Sequence, residues 1–304
     1  MPPRADMGDS PEAARRPAAL NGALSHKEAR MNDSSQGPWD RIAAGYDRTN
    51  TPTQMEIARA ALERAGLRSG MQFLDVASGS GALSIPAARL GATVTAVDAS
   101  AKMLELLRAR AASERLPITT KVMDGHALDF ADDRFDMAGS QFGVMVFPEM
   151  PRALREMARV TRPGGTVLIN AYGDPHRIDF LGFFVQAVRS VRADFDGPPM
   201  EPPPLPFQLS DPERLRRELA QAGLREVRVD TLTEATDFAS GSALWDWIVH
   251  SNPIVKEEIL ACLRLTGAEE QKVQQALDKL VEERKAGGRT ARLTNPVNVG
   301  IGTK

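Results

Sequence analysis

Two carboxylates and two glycines have the types and spacing to do chemistry. Phe73-Leu74-Asp75-Val76-Ala77-Ser78-Gly79-Ser80-Gly81 runs from an apolar stretch into a glycine-rich turn, and Asp98 follows 23 positions after Asp75. Glycines at a strand-to-helix turn let a ligand approach the backbone, and the helix behind them offers unpaired N–H groups. An acid at the tip of the neighbouring strand can accept hydrogen bonds from two ribose hydroxyls. The arrangement predicts an adenosine-binding turn. A dinucleotide fingerprint needs a third glycine where this chain has Ser84, and Asp75 is a poor neighbour for a pyrophosphate. Asp75 suits a cationic ligand, which S-adenosylmethionine is through its ammonium and sulfonium.

These residues need a sheet to hold them. Residues 71–76, 92–98, 118–124, 135–142 and 165–172 read as strands, and the stretches 82–90, 102–114 and 150–160 between them read as helices. Strict alternation implies a parallel sheet, with an α/β core over about 70–172. Before it, WDRIAAGYDR (39–48) and 54–65 read as two amphipathic pieces, closed by Gly66 and Gly70. After it come an apolar helix near 178–191 and a proline-rich loop over 197–207, suited to a lid or pocket wall. A helix capped by Ser210 and ended by Gly223 follows, then a strand at 224–232 and helical sequence over 240–288. The last strand, 291–304, reads as broken by Asn295-Pro296.

The 304 residues carry 38 Lys and Arg against 40 Asp and Glu, so no polycationic surface favours nucleic acid. The single cysteine, Cys262, excludes an intrachain disulfide, and no Cys/His cluster has a metal-binding spacing, so no metal is expected. No apolar stretch has the length of a membrane span, which leads to the expectation of a cytoplasmic protein. Residues 1–38 hold almost no bulky apolar side chain and read as a disordered tail, and Met31 is a candidate alternative start.

At the level of motifs the chain resembles class I S-adenosylmethionine-dependent methyltransferases, and within them the group similar to ubiquinone/menaquinone-biosynthesis (type 11) methyltransferases. The matching pieces are WDRIAAGYD, LDVASGSG, AVDAS with Met103, MDGHALDF, DDRFDMAGSQFG and LREMARVTRPGGTVLI, from about Trp39 to Tyr172. The resemblance implies a Rossmann-like, doubly wound α/β sheet of seven strands, mostly parallel with an antiparallel last strand. Helical insertions after strands 5 and 6, about 174–210 and 240–288, would sit over the substrate. It further implies that Asp75, Ala77, Gly79 and Gly81 surround the methionine part of the cofactor, that Asp98 holds the ribose, and that Ala99 and Met103 pack on it or on the adenine. Asp124, Gly125 and His126 would meet the adenine edge, Gln141 and Phe142 would close the site under the sulfonium, and Tyr46 would fold over the cofactor. Where the family's commonest first motif has glycine, this chain has Ala77.

Methyl transfer is an in-line displacement that alignment and desolvation can largely supply, so no acid or base is obligatory. Should the acceptor need a base, His176, directly after the fifth strand, is the candidate. The fourth strand ends Ser-Gln-Phe-Gly, without the Asn/Asp-Pro-Pro-Tyr/Phe piece by which related enzymes methylate bases or protein amides. Phe180, Phe183, Phe184, Phe207, Trp245 and Trp247 could wall an apolar pocket. The expected partner is therefore a small, largely apolar methyl acceptor, quinone-, polyketide-, terpenoid- or alkaloid-like. An inactive cofactor-binding scaffold and a nicotinamide oxidoreductase are the alternatives.

Overall fold

The apolar runs become strands β1 (Gln72–Val76), β2 (Thr93–Asp98), β3 (Ile118–Val122), β4 (Phe135–Gln141), β5 (Thr161–Tyr172), β6 (Arg225–Phe238) and β7 (Ala291–Thr303). They form one seven-stranded sheet of order β3-β2-β1-β4-β5-β7-β6. The first five pair in parallel, and β7 runs antiparallel to both β5 and β6. The winding direction reverses between β1 and β4, which opens a crevice at their carboxyl ends where α/β sheets bind ligands. This computed structural model describes residues 36–197, 200–253, 255 and 259–304.

The helices are α1 (Gln36–Arg64), α2 (Ser84–Arg89), α3 (Ala101–Ser113), α4 (Met150–Val160), α5 (Asp179–Arg189), α6 (Pro212–Gln221), α7 (Gly241–Ser251), α8 (Leu260–Leu263) and α9 (Gly267–Lys285). Thus α5 follows β5 and α7 to α9 follow β6, as the two insertions require. Register assigns the faces. Gln141 pairs with Asn170, Tyr172 with Val297, Val297 with Leu232, and Asn295 with Glu234, so these side chains share one face of the sheet. On that face Gln141 Nε2 donates to the Gln54 carbonyl of α1 at 3.1 Å, and Trp247 Nε1 of α7 donates to Thr53 Oγ1 at 3.2 Å. On the other face Leu215 and Leu219 of α6 lie against Gly300, where a Cβ would come within 2.9 Å of either side chain. Phe73, Leu74, Val97, Phe135 and Ile169 are fully buried between the helical layers, each contributing about 1.5–3 kcal/mol.

Several elements differ from the sequence-based expectation. The two N-terminal pieces form one helix that continues through Pro52 and begins at Gln36, so residues 36–38 belong to α1 and not to the tail; the rest of the expected tail lies outside the described residues. Helix α6 is capped by Asp211, whose side chain accepts the Glu213 N–H at 2.9 Å; Ser210 instead presents its carbonyl to Asn298 Nδ2 at 2.8 Å. Strand β6 runs six residues beyond 232, to Phe238. Strand β7 is not broken at Pro296, which pairs with Thr233 while its carbonyl accepts the Gly173 N–H. A proline removes one ladder donor only, and flanking pairs on both sides keep the strand in register.

No helix among the described residues is long and apolar enough to cross a membrane.

Candidate active site

The turn after β1 is built from residues with left-handed backbone: Ala77 (φ 55°), Gly79 (φ 52°) and Gly81 (φ 103°). The two glycines serve different ends. A Cβ on Gly79 would meet only the edge of the Tyr46 ring, at 3.9 Å, so the backbone there is open to a ligand. A Cβ on Gly81 would lie 2.4 Å from Leu107 of α3 and 3.2 Å from Ile85, so Gly81 allows helix packing against the turn. Ala77 takes at some cost a conformation that glycine takes freely.

Asp98 Oδ2 accepts the Gly79 N–H at 2.8 Å and Oδ1 accepts the Ser100 N–H at 2.8 Å. Burial raises its pKa in spite of these hydrogen bonds. Asp75 is fully buried; Oδ2 accepts from Ser84 Oγ at 2.6 Å and Oδ1 has no partner. Burial pushes its pKa up to about 7, with the Asp98 charge adding to the rise and the Ser84 hydrogen bond opposing it. Ser84, where a dinucleotide fingerprint has glycine, therefore holds the Asp75 carboxylate. Ser78 Oγ is also buried without a partner.

Ser100 caps α3 by accepting the Met103 N–H, and its hydroxyl donates to Asp40 of α1. Beside it Ala99 is half-buried and Met103 is buried. Asp124 Oδ1 accepts from both the backbone N–H and Nδ1 of His126, at 2.9 and 2.7 Å, and the His126 ring packs on Phe147 at 4.5 Å. Gly125 leaves no room for a side chain, since a Cβ would meet Phe147 at 2.7 Å. These groups line the ends of β2 and β3, next to Asp98, whose carbonyl accepts the Met123 N–H.

Across the switch point, Gln141 Oε1 accepts from Asn170 Nδ2 at 2.8 Å. Phe142 turns out of the strand with φ 53° and stacks on Tyr172 at 4.6 Å. Tyr46, half-buried on α1, donates its hydroxyl to Gln54 Oε1 at 2.9 Å while its ring edge faces Gly79. Burial raises its pKa, and the charges of Glu234, Asp98 and Asp75 all act on it in the same direction. Tyr46 thus stands between the glycine turn and β6.

His176 lies exposed in the turn Pro175–Arg177, its N–H donating to Asp174 Oδ1 at 3.0 Å. Among the described residues no hydrogen bond or ion pair of its ring ties it to this cluster. Sequence reasoning missed Gln54, Asn170, Glu234, Thr236 and Asn295, all buried polar residues on the same side of the sheet. For Glu234, Thr236 and Asn295 the signal is polarity at alternate positions of β6 and β7, visible once β6 is known to run to Phe238 and β7 to continue through Pro296.

Residues 74–169 match the family described as "Methyltransferase domain". Over that segment the chain is similar to methyltransferase domains. A ubiquinone/menaquinone biosynthesis C-methyltransferase of Bdellovibrio bacteriovorus is 36% identical over 141 residues, covering 44% of this chain and 60% of that protein. A demethylmenaquinone methyltransferase of Renibacterium salmoninarum is 35% identical over 147 residues, 47% of this chain and 60% of that protein. An uncharacterised protein of Mycobacterium tuberculosis is 40% identical over 128 residues, 42% of this chain and 44% of that protein. The chain spans about half the length of the curated relatives it matches. In fold, a chain of the complex between the Haloferax volcanii Trm112 methyltransferase activator and its partner is similar at TM-score 0.52 and 20% identity, over 87% of this chain and 96% of that one. The matched segment contains the glycine turn, Asp75, Asp98 and Gln141, while Glu234 and Asn295 lie outside it.

Proposed function

We propose that this chain is an S-adenosylmethionine-dependent methyltransferase of small, largely apolar organic acceptors. The observation that carries the reading is the join of Asp98 to Gly79, which fixes an acid at the mouth of an open left-handed turn at the switch point. The residues present fit such a cofactor. Asp98 oxygens keep lone pairs free for ribose hydroxyls, and buried Asp75 Oδ1 and Ser78 Oγ lack partners in the turn. Gly79 supplies close approach, and the Tyr46 edge supplies a cover over it.

When bound, the cofactor supplies an electrophilic methyl group on a sulfonium. The protein's part is to hold, align and dry the reactants. Asp98 and Gly79 would hold the ribose side, Asp75 the cationic side, and Asp124 with the His126 N–H the adenine edge. Gln141, pinned between Gln54 and Asn170, and Phe142, stacked on Tyr172, would form the floor beneath the reacting carbon. Tyr46 would exclude water from above. The acceptor would enter beneath α5 and α7, whose Phe180 and Trp247 rings lie 4.8 Å apart. Two curated relatives are named for menaquinone methylation, which puts quinone-like rings first among the acceptors to test. His176, exposed just after β5, is proposed only as a base reached by an acceptor at the rim.

Titration calorimetry of the full chain with S-adenosylmethionine and S-adenosylhomocysteine tests the reading. Micromolar binding of both is expected, followed by methyl transfer to members of a quinol, phenol and amine panel. Binding of neither compound overturns it.

A further inference from the structure

Among the described residues Glu234 is the most deeply buried carboxylate that the proposed cofactor site does not use. It is 2% exposed on β6, opposite Asn295 of β7, which is also 2% exposed. Glu234 Oε2 accepts from Asn295 Nδ2 at 3.1 Å, and there the pairing stops. Glu234 Oε1, Asn295 Oδ1 and Thr236 Oγ1 are all buried with no hydrogen-bond partner. Glu234 Oε1 and Asn295 Oδ1 can accept, and the Thr236 hydroxyl can both donate and accept, so the patch holds unmet hydrogen-bonding capacity for an incoming polar group. Among the described residues no Lys or Arg forms an ion pair with Glu234. Native interiors rarely leave neighbouring acceptors unmet, and such a gap calls for an explanation such as a ligand.

The surroundings define what would fill it. Phe238 shares the strand face of Glu234 and Thr236 and meets Trp247 edge-on at 6.1 Å. Trp247 continues to Phe180 at 4.8 Å, Phe180 to Tyr172 at 5.7 Å, and Tyr172 to Phe142 at 4.6 Å. This aromatic row runs from the orphaned oxygens to the switch point. The charge of Glu234 acts on the hydroxyls of both Tyr46 and Tyr172, and Tyr46 also feels Asp98 and Asp75, so one tyrosine links the two polar centres.

We propose that Glu234, with Asn295 and Thr236 beside it, binds the O–H or N–H group of a ring-bearing methyl acceptor and so selects donors over their capped analogues. The inference rests on the methyltransferase reading for the word acceptor, but the binding it predicts can be measured without transfer. The burial of Glu234 without a cation raises its pKa to about 7, consistent with a carboxyl group whose partner is still to come.

The test measures affinity of the full chain, with and without S-adenosylhomocysteine, for 2-naphthol, 2-naphthylmethylamine and 2-methoxynaphthalene. The wild type is expected to favour one or both donors over the methyl ether by about tenfold or more, the worth of one hydrogen bond to a charged group. The preferred donor distinguishes a hydroxyl from an amine acceptor. Glu234→Leu should abolish the preference, and Glu234→Gln, which keeps an acceptor for Asn295 Nδ2, should reduce it while preserving the melting temperature. Equal affinity for all three probes in the wild type, or a preference unchanged in both variants, overturns the proposal and leaves Glu234 a structural brace. Failure of S-adenosylhomocysteine to bind, with the naphthol preference intact, overturns the methyltransferase reading and not this subsite.

Discussion

Asp98, at the tip of β2, accepts the backbone N–H of Gly79 at 2.8 Å, so the side chain expected to meet a ribose also fixes the turn that the ligand must approach. Both oxygens are tied to backbone, to Gly79 and to Ser100. The carboxylate is therefore oriented before anything binds, which lowers the ordering cost of binding.

Asp98→Ala should weaken S-adenosylhomocysteine binding by about tenfold to a hundredfold. Hydrogen bonds to a charged acceptor contribute about 1.5–3 kcal/mol each, and loss of the Gly79 bond loosens the turn as well. Asp98→Asn, which keeps one oxygen, should lie between. Calorimetry on the three proteins decides it, and unchanged affinity in the alanine variant would remove Asp98 from the site.

Asp75 predicts a pH signature. Its pKa is raised from 3.8 to about 7 by burial, with the Asp98 charge adding to the rise, so the folded chain holds a proton that the unfolded chain releases. This stabilisation is fully present below pH 3.8 and is lost as pH rises through about 7. Asp75→Asn keeps an acceptor for Ser84 and abolishes the titration. Above pH 7 the variant should be more stable than the wild type in the absence of ligand, by on the order of 3–4 kcal/mol, with the advantage vanishing near pH 4. It should bind S-adenosylmethionine more weakly, since the ammonium loses its counter-charge. Urea melts at pH 4, 6 and 8 provide the comparison; parallel curves for both proteins would refute the assignment of the titration to Asp75.

Tyr46 separates lid from brace. Tyr46→Phe leaves Gln54 Oε1, buried on a 2% exposed side chain, without its donor, and should cost about 1–3 kcal/mol of stability with little effect on cofactor affinity. Tyr46→Ala removes the ring over Gly79 and should weaken S-adenosylhomocysteine binding in addition. If alanine and phenylalanine variants bind equally well, the ring has no role as a cover.

The proposed cofactor half of the site was legible because its chemistry is local: Asp75, Ala77, Gly79, Gly81 and Asp98 all sit within one strand-turn-helix-strand unit, and strand periodicity orders them. The proposed acceptor half was not. Glu234 and Asn295 are 61 positions apart and meet only because β6 runs past its expected end and β7 continues unbroken through Pro296. The stretch Thr233–Asp237 is polar enough to read as a loop, and Pro296 reads as a strand break. A burial pattern set by the helices α5 and α7 overrides both signals. Ser210 and Asp211 illustrate a smaller ambiguity, since either can cap α6 and only the turn geometry chooses Asp211.

A pair of glycine variants distinguishes ligand approach from packing. Gly79→Ala places a methyl group in open space at φ 52°, the conformation that Ala77 already adopts nearby at φ 55°. Its folding cost should be about 1–2 kcal/mol, the left-handed penalty for an L-residue. The methyl group would occupy the face on which the cofactor must lie, so binding should fall at least about tenfold. Gly81→Ala drives a methyl group to 2.4 Å from Leu107 at φ 103°, so it should lower stability by about 2–4 kcal/mol through strain and overpacking. Its folded fraction at low temperature should retain more of the affinity than Gly79→Ala does. Denaturant melts and calorimetry on both proteins should rank them in opposite orders for stability and for binding. The same order in both measurements would mean that the two glycines act only as one turn.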